Sequence, residues 1–304
     1  MKVQIGFHVS IKGGIRNSID NALKIGCTAF QIFTRNPRGW TEKVLNGRDV
    51  QIFKSKLKHC GISSDAVAVH MPYLPNLSAP NSEQYKKSKD SLINEVQRCV
   101  QLGIPNLVIH LGSHLGSGSA KGTDQLVNSI NTAIDYSKLD GKKSGRVIFL
   151  LENSAGQKNS IGNKLEEIRS ILDRVSSINV GMCVDTCHAF AAGYDLRTER
   201  KVAEFVDKFD SIIGLAKLRL VHLNDSKEEI GSGVDRHEHI GLGKIGGIGM
   251  AAILKNRGLE DKPIIMETKE DSIRNNLDNL RVALELAESP SLSNHRRTSG
   301  KVLE

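Results

Sequence analysis

Short, uninterrupted apolar runs with β-leaning composition recur along the chain at residues 3–8, 29–33, 66–69, 106–109, 147–151, 179–184, 218–223 and 263–266. Runs of this length and character predict strands. Between them lie amphipathic stretches. In 82–102, Leu92, Val96, Cys99 and Val100 share one helical face, and in 271–287, Ile273, Leu277, Leu280, Val282 and Leu284 do the same above a charged outer side. Every run but the last is followed by a loop and a helix-like segment before the next run begins. Eight such units, with no composition break or Pro/Gly linker, predict one closed parallel (β/α)8 TIM barrel over residues 1–287 rather than two domains. Residues 288–304 are rich in Ser, basic residues and turn formers, with almost nothing to bury, and read as a disordered basic tail.

A barrel of this kind carries its reactive groups where strands end and the following loops begin. The third run ends in Ala68-Val69-His70, the fourth in Val108-Ile109-His110 and the fifth in Leu150-Leu151-Glu152. The sixth ends in Val184-Asp185, with His188 three residues on. The seventh ends in Leu220-Val221-His222, the eighth in Ile265-Met266-Glu267, and the loop after the seventh adds Asp235 and His237. Four carboxylates and five imidazoles crowded into one cavity would be prohibitively costly without compensating positive charge. Metal ions supply it. Imidazole and carboxylate without thiolate suit zinc, with manganese or iron as alternatives, and nine ligands exceed what one ion can use. Two ions could be served, and three fit better if one carboxylate bridges.

Composition adds a partner. The chain is 39% hydrophobic and 25% charged, which excludes disorder throughout. Lys and Arg number 42 against 34 Asp and Glu, a formal net charge of +8. With many of the acids gathered at the rim, the remaining surface is more basic than the total, which favours a polyanion. The five cysteines are scattered and form no CxxC pair, so a disulfide framework is not expected and a reducing compartment is. No apolar run approaches a membrane span and no signal-peptide pattern opens the chain, so the expected location is the cytoplasm, at the nucleoid if the cell is prokaryotic. Gly241-Leu-Gly-Lys-Ile-Gly246 matches GxGxxG but follows a charged loop rather than a strand, and Gly116–Thr123 lacks the Gly that a phosphate loop needs before its Lys, so no nucleotide cofactor is expected. The glycines of 241–247 are expected instead to let backbone approach a phosphate.

The segments His110-Leu-Gly-Ser-His114, Cys183-Val-Asp185-Thr-Cys-His188-Ala-Phe-Ala-Ala-Gly193, Val221-His222-Leu-Asn-Asp225-Ser-Lys227 and Asp235-Arg-His237-Glu-His-Ile-Gly-Leu-Gly-Lys-Ile-Gly246 resemble the signature segments of endonuclease IV, the zinc-dependent apurinic/apyrimidinic endonuclease family. Gly6-Phe7-His8-Val9-Ser10 and Gln31-Ile32-Phe33-Thr34 resemble its first two strands, so the likeness runs from about residue 3 to about 285. The resemblance implies a trinuclear zinc centre, with manganese an alternative at one site. It assigns His70, His110 and Glu152 to one ion, Glu152, Asp185, His222 and Glu267 to a second, and His188, Asp235 and His237 to a third. It makes Glu152 the bridge and Glu267 a second catalytic carboxylate that orients the nucleophile. His8, His114 and His239 stay outside the ligand set. The implied activity is hydrolysis of the phosphodiester 5′ to an abasic site in duplex DNA, leaving 3′-hydroxyl and 5′-deoxyribose phosphate ends, with some trimming of blocked 3′ ends, by a monomer.

Loops on the same rim should read the damaged DNA. Thr34-Arg-Asn-Pro-Arg38-Gly39-Trp40 presents two arginines beside the only tryptophan, and Met71-Pro-Tyr73-Leu74-Pro-Asn76 follows His70 directly. Arg38, Tyr73 and Leu74 are expected to enter the minor groove and fill the stack at the lesion; the resemblance implies the same, although Gly39 stands where some family members carry a longer polar residue. Arg236, between two expected ligands, is the strongest phosphate contact among Lys12, Arg16, Lys227, Arg236 and Lys244, and His295, Arg296 and Arg297 could add weak attraction from the tail. Two other readings compete. A metal-dependent sugar isomerase or epimerase would need only Glu152, Asp185, His222 and Glu267, which leaves five ligands idle, and a lesion-binding module would tolerate loss of ligands, yet none is missing.

Overall fold

The computed structural model describes residues 3–41, 43–80, 82–139, 147–176 and 179–289. Eight parallel strands close into a barrel: β1 (Ile5–His8), β2 (Ala29–Ile32), β3 (Val67–His70), β4 (Asn106–His110), β5 (Ile148–Glu152), β6 (Val180–Asp185), β7 (Leu218–His222) and β10 (Ile264–Met266). Ring order follows chain order, and β1 closes the circle by pairing with both β2 and β10. Two further short strands, β8 (Asp225–Ser226) and β9 (His237–Glu238), form an antiparallel ribbon outside the barrel. The helices are α1 (Asn17–Ile25), α2 (Gly47–His59), α3 (Glu83–Leu102), α4 (Ser119–Leu139), α5 (Leu165–Arg174), α6 (Thr186–Ala191), α7 (Glu199–Ile212), α8 (Gly246–Lys255) and α9 (Asn276–Glu288).

The barrel strands are apolar without alternation because one side of each fills the barrel interior and the other is roofed by helices. Phe7, Phe30, Val69, Leu107, Leu150, Met182, Val221 and Ile265 are all buried within one continuous core. Apart from Asn106 at the start of β4 and Arg219 in β7, polar residues enter at the C-terminal ends, where the interior opens. Helix α3 begins where the Ser82 hydroxyl accepts the Tyr85 N–H and ends at Gly103, whose positive φ of 75° suits a residue without Cβ. Of the face its spacing predicts, Leu92, Val96 and Cys99 are buried and Val100 is half-buried against the core, with Leu102 buried beside them.

The last helix departs from its predicted extent. Residues 271–275 are not helical, because Asp271 Oδ1 accepts the backbone N–H groups of Ile273 and Arg274 and folds them into a turn. The helix starts at Asn276 under a capping box of Asn275 and Asp278. Its buried residues are Asn279, Leu280 and Ala283, while Ile273, Leu277 and Leu284 stay exposed, so the expected apolar face is largely a surface. It continues through Glu288, and Ser289 Oγ lies 2.6 Å from Lys255 Nζ, which donates to it. The expected tail, including His295, Arg296 and Arg297, otherwise lies outside the described residues. No helix among the described residues is long and apolar enough to cross a membrane.

Candidate metal centre

All eight barrel strands deliver a polar side chain to one layer at the mouth. Glu152, at the end of β5, is its hub: Oε2 lies 3.2 Å from His70 Nε2 and 3.1 Å from His110 Nε2, and Oε1 lies 3.1 Å from His222 Nδ1 and 3.4 Å from His188 Nδ1. His222 Nδ1 also faces Glu267 Oε2 at 3.4 Å and Asp185 Oδ2 at 3.9 Å. Asp235 stands between His188 Nε2 and His237 Nε2, 3.2 Å from each. Ligating atoms therefore gather within 4.8 Å of one another as His70, His110 and Glu152, as Glu152, Asp185, His222 and Glu267, and as Asp185, His188 and His237. The nine expected residues converge. The first two sets coincide with those implied by the resemblance, and on the third side Asp185 approaches His188 and His237 alongside Asp235.

Ring protons decide whether such a set can hold a cation. Carbonyl oxygens only accept, so the His70 Nδ1–H donates to Met71 O at 2.7 Å and the His188 Nδ1–H to Asn153 O at 2.9 Å. Each ring then turns a lone pair on Nε2 toward a carboxylate. Two acceptors facing each other at this distance need a proton or a cation between them. Without a cation, protons do the work. Burial works against a charged His188, but Asp185, Asp235 and Glu152 override it and hold the imidazole well above its ordinary range. Burial is likewise overridden at His237, which Asp235, Asp185 and Glu267 raise to about 9. Burial would raise Glu152, yet His110 and His222 keep it well below the usual carboxylate range. The donor set fits divalent cations, whose charge would replace those protons.

Asn224 and Asn153 brace the carboxylates. Asn224 Nδ2 donates to Asp185 Oδ2 at 2.6 Å while its Oδ1 accepts the Glu267 N–H, and Asn153 Oδ1 accepts the Asp185 N–H at 2.8 Å. The long segment after β7 is tied down by Asp225, whose buried carboxylate accepts the N–H groups of Ser226, Gly241, Gly243, Ile245 and Gly246. A Cβ at Gly243 would overlap Ser226 O and that carboxylate. The glycine-rich stretch was expected to offer its backbone to a phosphate; the N–H groups of Gly241, Gly243, Ile245 and Gly246 instead go to Asp225, and those of Leu242 and Lys244 to His239 O and Ser226 O. Lys244 and Arg16, two of the basic candidates, pair with Glu229 and Asp49.

The two expected DNA-reading loops meet beside the layer, where the Tyr73 N–H donates to Pro37 O at 3.2 Å. The Tyr73 ring lies 5.1 Å from Phe33 and 6.2 Å from His110, with its residue 55% exposed. Burial, reinforced by Glu267, Glu152 and Asp235, pushes its hydroxyl up to about 12, so it stays neutral. Leu74 and Arg38 are exposed next to it, and Arg236 is exposed between Asp235 and His237. A cleft of about 270 Å³ runs from Tyr73 and Leu74 past His110, Glu152, His188 and Asp235 to Lys158. A larger groove, about 690 Å³, lies on the outer wall among α7, α8 and α9, away from every ligand set found among the described residues.

Residues 19–289 match the family described as Xylose isomerase-like TIM barrel. The probable endonuclease 4 of Nitrosopumilus maritimus is 49% identical over 286 residues, which is 94% of this chain and 100% of that one; that of Cenarchaeum symbiosum matches equally in identity and coverage. The chain belongs to the endonuclease IV family. Among solved structures, endonuclease IV from Thermus thermophilus superposes with a TM-score of 0.80 at 32% identity, covering 93% of this chain and 98% of that one. A D-tagatose 3-epimerase-like protein superposes at 0.68 with 20% identity, which speaks to the barrel alone.

Two contributors to the candidate centre, Gln31 and Cys187, escape a reading of strand ends, and His8, expected outside the ligand set, sits beside Gln31. His8 and Gln31 complete the layer from β1 and β2, and Cys187 Sγ lies in a group with Asp235 and His237. Burial pushes the Cys187 thiol well above its ordinary range, and it donates to Arg236 O, so it remains a thiol. An amide is not a typical ligand, and its place in the layer follows only from the pairing of Gln31 with His8 across β1 and β2.

Proposed function

We propose that this chain is a DNA-repair endonuclease that hydrolyses the phosphodiester 5′ to an abasic site in duplex DNA, leaving 3′-hydroxyl and 5′-deoxyribose phosphate ends. The observation that carries the proposal is the placing of nine imidazoles and carboxylates directly beneath an exposed aromatic and basic rim. Three zinc ions are the proposed occupants, with manganese an alternative at one site; when bound, they neutralise a phosphodiester and bring a water closer to ionisation at neutral pH.

The residues divide the remaining work. Glu152 offers its two oxygens to opposite ligand groups and is suited to bridge. Glu267 has one oxygen held by Gln31 and the other facing His222, which leaves it placed to orient an attacking water. Arg38, Tyr73 and Leu74 stand where they can occupy the space left by a missing base while the sugar turns into the cleft. Arg236 is exposed to meet a phosphate. Residues beyond Ser289 act, in this reading, as a basic tail that adds non-specific attraction, and the enzyme works as a monomer in the cytoplasm, with 3′-end trimming as a side activity.

The decisive experiment incubates metal-replete protein with a duplex carrying one tetrahydrofuran abasic analogue and sequences the nick. The analogue blocks the lyase route, so cleavage 5′ to it identifies a hydrolase. An intact duplex would remove the proposal and leave the sugar isomerase reading built on Glu152, Asp185, His222 and Glu267, which predicts a single ion.

A further inference from the structure

We infer that Gln31 is a positioning residue of the metal centre: its side-chain amide fixes the ring proton of His222 and the carboxylate of Glu267, and thereby sets the affinity of the Glu152, Asp185, His222 and Glu267 group for its cation. The inference rests on the proposal that this group holds a metal.

Gln31 is fully buried at the end of β2, opposite His8 in β1. Its Nε2 donates to Glu267 Oε1 at 2.9 Å and lies 3.0 Å from His8 Nδ1, and its Oε1 lies 3.0 Å from His222 Nε2. The two ends of the amide are not interchangeable. A carboxylate only accepts, so the NH2 end must face Glu267 and the carbonyl end must face His222. That carbonyl cannot donate. The proton of His222 therefore sits on Nε2, and the Nδ1 lone pair is turned toward Glu152, Glu267 and Asp185, the three carboxylates of the group. The opposite tautomer would set the Nε2 lone pair against a buried carbonyl with no proton between them.

Gln31 differs here from the partners of the other rings. His70 and His188 have their tautomers set by the backbone carbonyls of Met71 and Asn153, which no substitution removes. His222 depends on a side chain. The Gln31 carbonyl is the oxygen that faces His222 Nε2, beside a Cys183 thiol that also hydrogen-bonds the ring, and the same amide restrains Glu267, so one residue touches two members of one group and none of the His70, His110 and Glu152 set except through the shared Glu152.

The test uses full-length apoprotein, titrated with Zn2+ against a competing chromophoric chelator, for wild type, Gln31→Met and Gln31→Glu. Partners that orient metal ligands affect affinity by about 10- to 100-fold. Gln31→Met, of similar length and without hydrogen bonds, should weaken one stepwise zinc equilibrium by about that factor and leave the others within threefold. Gln31→Glu keeps an acceptor for His222 but sets a carboxylate against Glu267, so it should weaken the same equilibrium while nitrogen-15 spectra of the zinc-loaded protein still show His222 protonated on Nε2. In Gln31→Met that proton should lose its fixed signature. Unchanged zinc equilibria in a folded Gln31→Met protein would overturn the role of Gln31; if that variant has no cooperative thermal transition, unchanged equilibria in Gln31→Glu overturn it instead. A wild-type chain that binds no zinc would overturn the reading of the metal centre itself, a result separable from any behaviour of the variants.

Discussion

Glu267, in the ligand layer, and Tyr73, lining the cleft, separate chemistry from recognition. Glu267→Gln keeps the side-chain shape and the backbone bond to Asn224 but removes a negative charge that faces His222. Turnover on the abasic duplex should fall by roughly 10²- to 10⁴-fold, the usual weight of a positioned carboxylate in proton transfer, while a binding titration with the same duplex changes little. Equal losses in both would mean that Glu267 acts through DNA binding. Tyr73 is the converse case. Its ring, edge-on to Phe33 and more than half exposed, is the part that can stack, so Tyr73→Ala should reduce the preference for abasic over intact duplex by an amount on the order of 1–3 kcal/mol, read from competition binding. Tyr73→Phe should retain that preference. Unchanged selectivity in Tyr73→Ala would return the residue to a purely structural role. The ligand-type residues were legible in sequence because six strands end in them, and His8 reads there as lying outside the ligand set, whereas the role of Gln31 was not legible, since an amide becomes meaningful only when the register seats it against His222 and Glu267.

Between strands and helices, buried charges hold the reading loops. Glu95, at 0% exposure inside α3, accepts from Thr34 Oγ1 at 2.6 Å and from Arg35 Nε at 2.9 Å; the Arg98 Nε donates to the same Thr34 hydroxyl, and Arg35 Nη1 donates to Gly39 O. This cluster fastens the turn that presents Arg38. Glu95→Leu would leave two buried guanidinium groups without their carboxylate, a change that typically costs about 3–5 kcal/mol, and a thermal melt should register it together with faster proteolysis between residues 34 and 43. A second brace is Asp225. Asp225→Ala removes the acceptor of five backbone N–H groups, so the segment carrying Asp235 and His237 should loosen, and elemental analysis should find one metal fewer while the group around Glu152 stays filled. Full occupancy would contradict that. Periodicity located α3 and all eight barrel strands to within a few residues. It failed at 271–275, where the Asp271 turn overrides an apolar spacing that extends past the true start of α9.

For the molecule as a whole, the charge balance of +8 makes the interaction with duplex DNA a question of salt. Each duplex phosphate neutralised steepens the log–log salt dependence by roughly 0.9. Removing residues 290–304 takes away His295, Arg296, Arg297 and Lys301 and no member of the metal layer. Truncated protein should therefore bind abasic duplex somewhat less tightly at low salt and indistinguishably near physiological salt, with turnover and melting temperature unchanged. A large loss of turnover at both salts would mean that the tail reaches the centre. Stripping the metal has the opposite reach, because ions held by side chains from different strands stabilise only the closed barrel. At a hundredfold excess over its Kd, each site contributes about 2.7 kcal/mol to folding, so chelated protein should melt measurably lower and recover on adding zinc.

The closure of β1 onto β10 also sets a timetable for biosynthesis. His70, His110 and Glu152 leave the ribosome early, but Glu267 follows Glu152 by 115 positions and is attached to the strand that shuts the ring. At roughly 5–20 residues per second, the nascent chain passes an interval on the order of ten seconds with one ligand group assembled and its neighbour missing a wall. A cation captured during that interval meets an open half-barrel, and the selective contacts of the full set come into being only when the final strand arrives. Loading the complete centre is therefore an event that waits for Glu267 and the strand that carries it.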